Sequence, residues 1–330
     1  MQEDLLTATQ ENKTDYTALR TATERIKQEL RQIIVGQEKL IELLLVAMLA
    51  EGHVLIEGVP GIAKTLTAKL LARTVQVDFS RIQFTPDLMP SDVLGTSVFH
   101  PGSATFEYKQ GPIFANIVLI DEINRAPAKT QASLFEVMEE QHITHDGRVY
   151  PLAAPFVVLA TQNPIEQEGT YRLPEAQLDR FMFKVLVDYP SLEEEVAILE
   201  LQHKGAALRK DLERVQPVLS AAQLLELRKA VQAVHLDRKL IEYIAQIIGE
   251  TRVNRSLYLG ASPRASIALL NSAKAMAALR GRGFVTPEEV QELAPVVLRH
   301  RILLTPEREM EGITPDEVIK QIVQKIEVPR

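Results

Sequence analysis

The chain of 330 residues contains no cysteine and no tryptophan. The absence of cysteine excludes a disulfide scaffold, a thiolate metal site and a cysteine nucleophile. Long apolar runs are also lacking, because the longest extends only from Leu43 to Ala50, whereas a bilayer core needs about 20 residues. The N-terminus is acidic and polar, without a cationic segment followed by an apolar one, so no secretory signal is predicted. These absences favour a cytoplasmic protein without a transmembrane segment.

An excess of positive charge is lacking too. The chain has 37 basic and 44 acidic residues, a formal net charge of −7. This balance gives no electrostatic support for binding nucleic acid, and no nucleic-acid partner is expected. Of the seven histidines, His142 and His145 are close in sequence, but no carboxylate cluster joins them. We interpret both as surface residues and predict no structural zinc.

Short β-rich runs alternate with helical patterns over the first half of the chain. Several runs are apolar at consecutive positions, as in strands covered on both faces. Alternating strands and helices predict a mostly parallel sheet, hence an α/β fold. The predicted strands are His53–Glu57, Arg81–Phe84, Ile117–Ile120, Phe156–Ala160 and Phe181–Val187.

Two segments interrupt this alternation, and each is predicted to be an inserted β-hairpin. One spans Ser97–Tyr108, and the other spans His142–Tyr150 around an Asp-Gly pair that fits a type I′ turn. After Val187 the strands stop and helical capping boxes begin. We therefore expect a weakly ordered segment 1–20, an α/β nucleotide-binding domain 21–188 and an all-helical lid domain 189–330.

A glycine-containing loop follows the first predicted strand and precedes a helix. Backbone amides in such a loop converge on phosphate oxygens, with Lys64 reaching the β- and γ-phosphates and Thr65 binding Mg²⁺. Ala63 stands where the pattern G-x-x-x-x-G-K-[ST] has its second glycine. We expect it to adopt helical dihedral angles at the start of the helix. The predicted nucleotide-binding residues here are Gly58, Val59, Pro60, Gly61, Ile62, Ala63, Lys64, Thr65 and Leu66.

Polar residues end two later predicted strands. Asp121 and Glu122 follow the apolar run Ile117–Ile120, where Asp121 can ligate Mg²⁺ and Glu122 can lie beside an attacking water. Asn163 follows a buried strand and can orient that water or touch the γ-phosphate. The pair of carboxylates is a weak signal alone, but it gains weight from its position after the phosphate loop.

Two arginines are further candidates. Arg180 precedes the last strand and would lie at the domain edge, unless it only forms a surface ion pair with Asp179 or a neighbour. Arg264 lies in the first turn of a helix that Ser262 would cap. A cation there opposes the helix dipole, so Arg264 is expected to face an anion rather than solvent alone.

These motifs, in this order, resemble those of AAA+ ATPases: Walker A, Walker B, sensor 1, arginine finger and sensor 2. Val35 and Gly36 resemble the segment that cradles adenine. The closer resemblance is to the MoxR family, and it rests on Asp121–Pro127, Ala160–Tyr171 and Leu173–Phe181. Arg172 departs from this pattern, because the family usually has proline there.

The resemblance implies an AAA+ P-loop NTPase fold with a parallel five-stranded sheet of order 5-1-4-3-2, both hairpins and a four-helix lid. It also implies ATP and Mg²⁺ as cofactors, with Arg264 contacting the γ-phosphate in cis and Arg180 acting in trans. The trans role implies a ring, usually a hexamer. A von Willebrand factor A domain protein is the implied partner, and chaperone-like remodelling or assembly of a client is the implied role.

Other motors on the same scaffold remain as alternatives. A nucleic-acid motor would share both hairpins, although neither carries a basic and aromatic stripe. An enhancer-binding activator would need a GAFTGA loop, which is absent. A magnesium chelatase-like motor subunit is poorly separated by sequence. A non-hydrolysing nucleotide switch would lack Glu122, which is present.

Overall fold

The computed structural model describes residues 16–59, 61, 63–163, 171–203 and 214–329. Residues 1–15 of the segment 1–20 lie outside the described residues, and the first helix begins at Thr17. The helices are α1 (Thr17–Arg31), α2 (Glu38–Leu49), α3 (Lys64–Thr74), α4 (Pro90–Leu94), α5 (Ala128–Glu140), α6 (Glu175–Leu178), α7 (Leu192–His203), α8 (Ala221–Gln232), α9 (Arg238–Val253), α10 (Pro263–Leu279), α11 (Pro287–Leu298), α12 (Pro306–Met310) and α13 (Pro315–Lys325).

Five parallel strands form the central sheet. Their spatial order is second, third, fourth, first and fifth along the chain, which confirms the predicted order 5-1-4-3-2 and the α/β fold class. The strands are β1 (Val54–Gly58), β2 (Phe79–Gln83), β5 (Ile117–Asp121), β8 (Val157–Gln162) and β9 (Phe183–Val187).

Both faces of this sheet are covered, because alternate residues of one strand enter different cores. Val54 and Ile56 join the core that also contains α1, α2 and the lid helices, whereas Leu55 joins the core beneath α5. All five residues of β5 are buried. Consecutive apolar positions therefore reflect a strand packed on both sides, as predicted.

Parallel pairing gives the sheet two chemically different edges. The carboxyl edge is the row of strand ends that includes Gly58, Asp121 and Gln162. The opposite row is the amino edge, and residues immediately before β9 lie there. Val54 pairs with Phe183, and Gly58 pairs with Val187. A five-residue strand separates the two edges by about 16 Å, at ~3.3 Å per residue.

The two inserted hairpins are present and contact each other. The first comprises β3 (Gly95–His100) and β4 (Thr105–Gln110), and the second β6 (His142–His145) and β7 (Arg148–Pro151). Asp146 and Gly147 both have positive φ, as a type I′ turn requires. The ring of Tyr108 stacks on that of His145 with centroids 4.7 Å apart. His145 is thus partly covered by the neighbouring hairpin.

The lid region is mostly helical, but it is not all-helical as predicted. A short antiparallel pair joins β10 (Leu257–Leu259) to β11 (Leu303–Leu304). Arg301 connects the lid to the amino edge by hydrogen bonds. Its Nε donates to Asp179 Oδ1 at 2.7 Å, and its Nη2 donates to the Phe181 carbonyl at 2.6 Å. Burial lowers the pKa of Arg301, while Asp179 opposes that shift.

Candidate nucleotide site

The phosphate loop leaves β1 at the carboxyl edge, and α3 begins at Lys64. Of its nine predicted residues, Pro60 and Ile62 lie outside the described residues. Gly61 has a φ of +87°, a conformation that favours glycine. Ala63 has φ 58° and ψ 20°. The expectation of helical angles at Ala63 was wrong, because the residue is left-handed, as a glycine would be. An alanine held there costs about 1–2 kcal/mol.

Lys64 turns back into the loop that it follows. Its Nζ donates to the Gly58 carbonyl at 2.6 Å. Burial lowers the pKa of Lys64, while the charges of Asp121, Glu122 and Glu57 raise it. The ammonium group therefore lies in a partly desolvated position close to the carboxylates, where an added phosphate would be attracted strongly.

Asp121 ends the buried strand β5 and faces Thr65, the other predicted metal ligand. The Thr65 hydroxyl donates to Asp121 Oδ2 at 3.4 Å, and the Thr161 hydroxyl donates to Asp121 Oδ1 at 2.9 Å. Arg81 Nε also donates to Oδ2, at 2.6 Å. A hydroxyl and a carboxylate are hard oxygen donors of the kind that Mg²⁺ accepts. The two residues thus fit the cation chemically.

Glu122 is held in place by polar groups around it. Its Oε2 accepts hydrogen bonds from Gln83 Nε2 at 2.7 Å and Arg125 Nη1 at 3.0 Å. The backbone N–H of Glu122 donates to the Thr161 hydroxyl at 3.0 Å, and its φ is +56°. A left-handed glutamate is unfavourable, and such conformations concentrate at functional sites.

One cavity brings the phosphate-side candidates together. It has a volume of about 390 Å³ and is lined by Gly61, Ala63, Lys64, Thr65, Leu66, Arg81, Gln83, Asp121, Glu122, Thr161 and Asn163. Asn163 directly follows β8 and is 9% exposed. Residues from three neighbouring strand ends and from the phosphate loop therefore meet at the carboxyl edge.

A larger and more apolar cavity of about 550 Å³ adjoins this one, and Gly61, Ala63 and Leu66 line both. Val35 lines the larger cavity, among Ile33, Ile34 and Leu40. Gly36 has a φ of +70°, and a Cβ at this position would collide with the Glu194 carboxylate. The pair of cavities offers an apolar compartment for a base next to a charged compartment for phosphates.

The two candidate arginines lie elsewhere, at the amino edge. Arg180 forms an ion pair with Glu139, and its Nη1 donates to the Phe135 carbonyl at 3.1 Å. Arg264 forms an ion pair with the same Glu139. This position does not support the predicted cis contact of Arg264, because Arg264 lies at the amino edge and Lys64 at the carboxyl edge, about one strand length apart.

Local contacts explain why Arg264 lies there. The Ser262 hydroxyl caps α10 by accepting from the Arg264 N–H at 3.1 Å, and it donates to Asp179 Oδ2 at 2.7 Å. Asp179 pairs with Arg301 instead of Arg180. Burial and the charge of Arg264 lower the pKa of Arg180. Two like charges are thus held together by one carboxylate, beside a cavity of about 320 Å³.

Comparisons with known proteins identify the family of this chain. Residues 53–183 match the ATPase family associated with various cellular activities (AAA), and residues 249–322 match the AAA lid domain. The chaperone MoxR1 of Mycobacterium tuberculosis is 45% identical over 316 residues, covering 93% of this chain and 82% of MoxR1. The chain belongs to the MoxR family of AAA+ ATPases.

Two further relatives extend the likeness over nearly the whole length. The Bacillus subtilis protein YeaC is 47% identical over 302 residues, covering 92% of this chain and 93% of YeaC. A crystal structure from Cytophaga hutchinsonii has a TM-score of 0.88 at 41% identity, covering 96% of this chain and 97% of that one. This MoxR-family chain is accordingly an ATP-hydrolysing enzyme with an AAA+ fold.

Sequence reasoning about this MoxR-family chain missed Arg81, Gln83 and Thr161 at the phosphate cavity and Glu139 at the amino edge. Arg81 and Gln83 alternate on β2, which lies beside β5 in the predicted sheet order. This spacing was a usable signal, because side chains two residues apart on a strand lie on the same face. Both can therefore face the end of β5. Thr161 and Glu139 gave no such signal, because their partners are distant in sequence.

Among the residues that the structure describes, no helix is long and apolar enough to cross a membrane. Within the same residues, no three His, Asp or Glu side chains group as a metal site.

Proposed function

We propose that this MoxR-family ATPase binds ATP with Mg²⁺ at the carboxyl edge and couples its hydrolysis to chaperone-like remodelling of a client protein. The observation that carries this proposal is the convergence of Lys64, Thr65, Asp121, Glu122 and Asn163 on one cavity. The adjoining apolar cavity, lined by Val35, supports adenine as the base.

Each residue of the cavity has a role that its position supports. Lys64 and the loop amides bind the phosphates, while Thr65 and Asp121 hold Mg²⁺. When bound, Mg²⁺ neutralises charge on the phosphates. Glu122 accepts a proton from the attacking water, and its hydrogen bonds from Gln83 and Arg125 fix its orientation.

Asn163 borders the same cavity from the end of β8. An amide group at this position can donate to a phosphate oxygen or orient the water, and it needs no change of charge to do so. We assign Asn163 to sensing the γ-phosphate.

Arg180 and Arg264 act on the nucleotide of a neighbouring copy. Neither lies near the cavity of its own chain, and both flank an open cavity at the amino edge. An arginine supplied in trans stabilises the charge of the transferring phosphoryl group. A head-to-tail interface that brings one copy's amino edge to the next copy's carboxyl edge forms a ring when its rotation closes. We take this ring to be a hexamer.

Membership of the family supports a wider role in remodelling a client. The lid, proposed as 189–330, would move against the domain 21–188 as nucleotide is turned over, and exposed side chains on the inserted hairpins would contact the client. Phe99 and Phe106 pack there in a tilted arrangement with ring centroids 5.2 Å apart, and both remain largely exposed. A von Willebrand factor A domain protein is the proposed partner, in the cytoplasm.

The test combines assembly, turnover and capture. Glu122→Gln protein with ATP should form a ring by light scattering and should retain a von Willebrand factor A domain protein and its client from the source cells. Wild-type protein with ADP should release both. A Glu122→Gln chain that stays monomeric with saturating ATP, while wild type hydrolyses ATP at full rate as a monomer, would contradict the ring.

A further inference from the structure

The guanidinium of Arg81 is hydrogen-bonded to Asp121 Oδ2, an oxygen of the proposed metal site. Arg81 Nε donates to Asp121 Oδ2 at 2.6 Å, and this is the same oxygen that accepts from the Thr65 hydroxyl at 3.4 Å. The other oxygen of Asp121 already accepts from Thr161 at 2.9 Å. Oδ2 is therefore the oxygen of Asp121 that faces Thr65.

The geometry of the sheet places Arg81 there. Arg81 and Gln83 lie on the same side of β2, and Gln83 pairs with Asp121 across the ladder. The Arg81 Nη2 donates to Gln83 Oε1 at 3.0 Å. A long side chain starting two residues earlier on an edge strand can thus run along the strand and end at Asp121.

A guanidinium and a divalent cation compete for a position of this kind. Asp121 is 8% exposed, so solvent gives little shielding between charges that meet at Oδ2. The Arg81 side chain is half exposed, at 50%. An ion pair with one exposed partner contributes little, and Arg81 has open solvent into which it can turn.

We propose that Arg81 is a positioning residue that neutralises Asp121 in the metal-free site and must leave Oδ2 when Mg²⁺ binds. The inference rests on the proposed nucleotide site and adds to it a built-in competitor that sets the Mg²⁺ concentration needed for loading. The negative charges of both carboxylates are then neutralised, because Arg125 pairs with Glu122 and Arg81 pairs with Asp121.

The experiment measures metal affinity, without turnover. Full-length protein is given a fluorescent ADP, and Mg²⁺ is titrated from an EDTA-buffered start. A second titration follows Mn²⁺ by electron paramagnetic resonance. Arg81→Gln should lower the half-saturating concentration of both metals by about three- to fivefold, the range expected for losing one half-exposed ion pair. Arg81→Lys should give a smaller change.

Arg125→Gln is the matched control, because it also removes one positive charge from the site but leaves Asp121 paired. Its half-saturating Mg²⁺ concentration should stay within about twofold of wild type. The lost charge is not paired with Asp121, so its effect on the metal is screened by salt. Equal shifts in both variants, or an unchanged or higher Mg²⁺ requirement in Arg81→Gln, would overturn the proposal. Wild-type protein that binds no ADP even with Mg²⁺ would overturn the proposed nucleotide site as well.

Discussion

The two edges of the central sheet are built in different ways. At the carboxyl edge, the phosphate loop and the ends of β5 and β8 place Lys64, Asp121 and Asn163 around one cavity. At the amino edge, Arg180 comes from the core and Arg264 from the lid, and Glu139 of α5 joins them.

This difference is the basis of the proposed ring. The carboxyl edge holds the proposed groups for binding ATP, Mg²⁺ and water. The amino edge holds two cations that lie about one strand length, or ~16 Å, from that cavity. We therefore propose that the amino edge of a second copy completes the site.

Lys64→Ala should block the first step, nucleotide binding, and it should act on the carboxyl edge only. Removing the ammonium group takes away charge-assisted hydrogen bonds to phosphate, so ATP should bind more than about 100-fold more weakly. Equilibrium binding of a fluorescent ATP analogue measures this. Lys69→Ala, on an outward position of the same helix, should bind normally. Near-normal binding by Lys64→Ala would remove the phosphate role.

Glu122→Gln should separate binding from chemistry at the same edge. The amide keeps the shape of the side chain but cannot take a proton, so kcat should fall by about 10²–10⁴ while ATP affinity stays close to wild type. Phosphate release under saturating ATP measures the rate. Glu136→Gln, exposed on α5, is the control. Turnover near the wild-type rate would show that Glu122 is not the base.

Glu139→Gln should give a smaller loss, confined to the amino edge. A neutral amide cannot hold two guanidinium groups, so Arg180 and Arg264 should lose their shared position. We expect kcat to fall about tenfold without a change in ATP affinity, as positioning errors of this kind do. Glu140→Gln is the neighbouring control. A weaker ATP affinity in Glu139→Gln would instead connect this carboxylate to the phosphate cavity.

Lowering the pH should reduce the stability of the folded protein, because His53 at the amino edge is buried without charge. Its Nδ1 accepts from the Val158 N–H at 2.9 Å, its Nε2 contacts the Met138 carbonyl at 3.1 Å, and burial lowers its pKa to about 4. The unfolded chain, with a pKa of about 6.5, binds the proton better, so stability falls as pH drops from about 6.5 to about 4. The loss should reach roughly 2 kcal/mol at pH 5.

Urea midpoints at pH 5 and pH 7 measure this loss. His53→Gln can keep both polar contacts without taking up a proton, so its midpoint should depend less on pH. Some dependence should remain, because burial also lowers the pKa of His300 well below its usual value. Equal pH dependence in wild type and His53→Gln would contradict the role of His53.

The sequence predicted which residues meet at the carboxyl edge, for a physical reason. Apolar runs such as Ile117–Ile120 end in polar residues, and parallel strands bring such ends together. The sheet order came from the family resemblance, and the structure confirms it. Ala63 was misjudged, because the loop requires a left-handed residue even where the chain has no glycine.

Local sequence patterns could not predict the contacts at the amino edge. Arg264 and Glu139 are 125 residues apart in sequence, and their contact depends on how the lid docks. That docking is set by groups such as the buried Arg301, which donates to Asp179 and Phe181. The sequence predicted that Ser262 caps α10. It could not predict that this end of the helix lies at the amino edge of the sheet. The two-residue strand β11 is likewise too short to give a pattern.

The central claim is that Arg264, like Arg180, completes the site of a neighbouring copy. The most direct test mixes Lys64→Ala protein with Arg264→Ala protein and measures ATP turnover. Each variant alone should be nearly inactive, since an arginine supplied in trans is worth about 10³–10⁵ in rate for related phosphoryl transfers. Native mass spectrometry establishes that mixed rings form, and Arg238→Ala, exposed on α9, serves as the active control.

If Arg264 acts in trans, an intact phosphate loop from one variant meets an intact arginine from the other. Activity should then return at about a quarter of the sites of a random equimolar ring. If Arg264 acts in cis, no chain in the mixture carries both Lys64 and Arg264, and mixed rings should stay inactive. Mixed rings without recovered turnover would contradict the account.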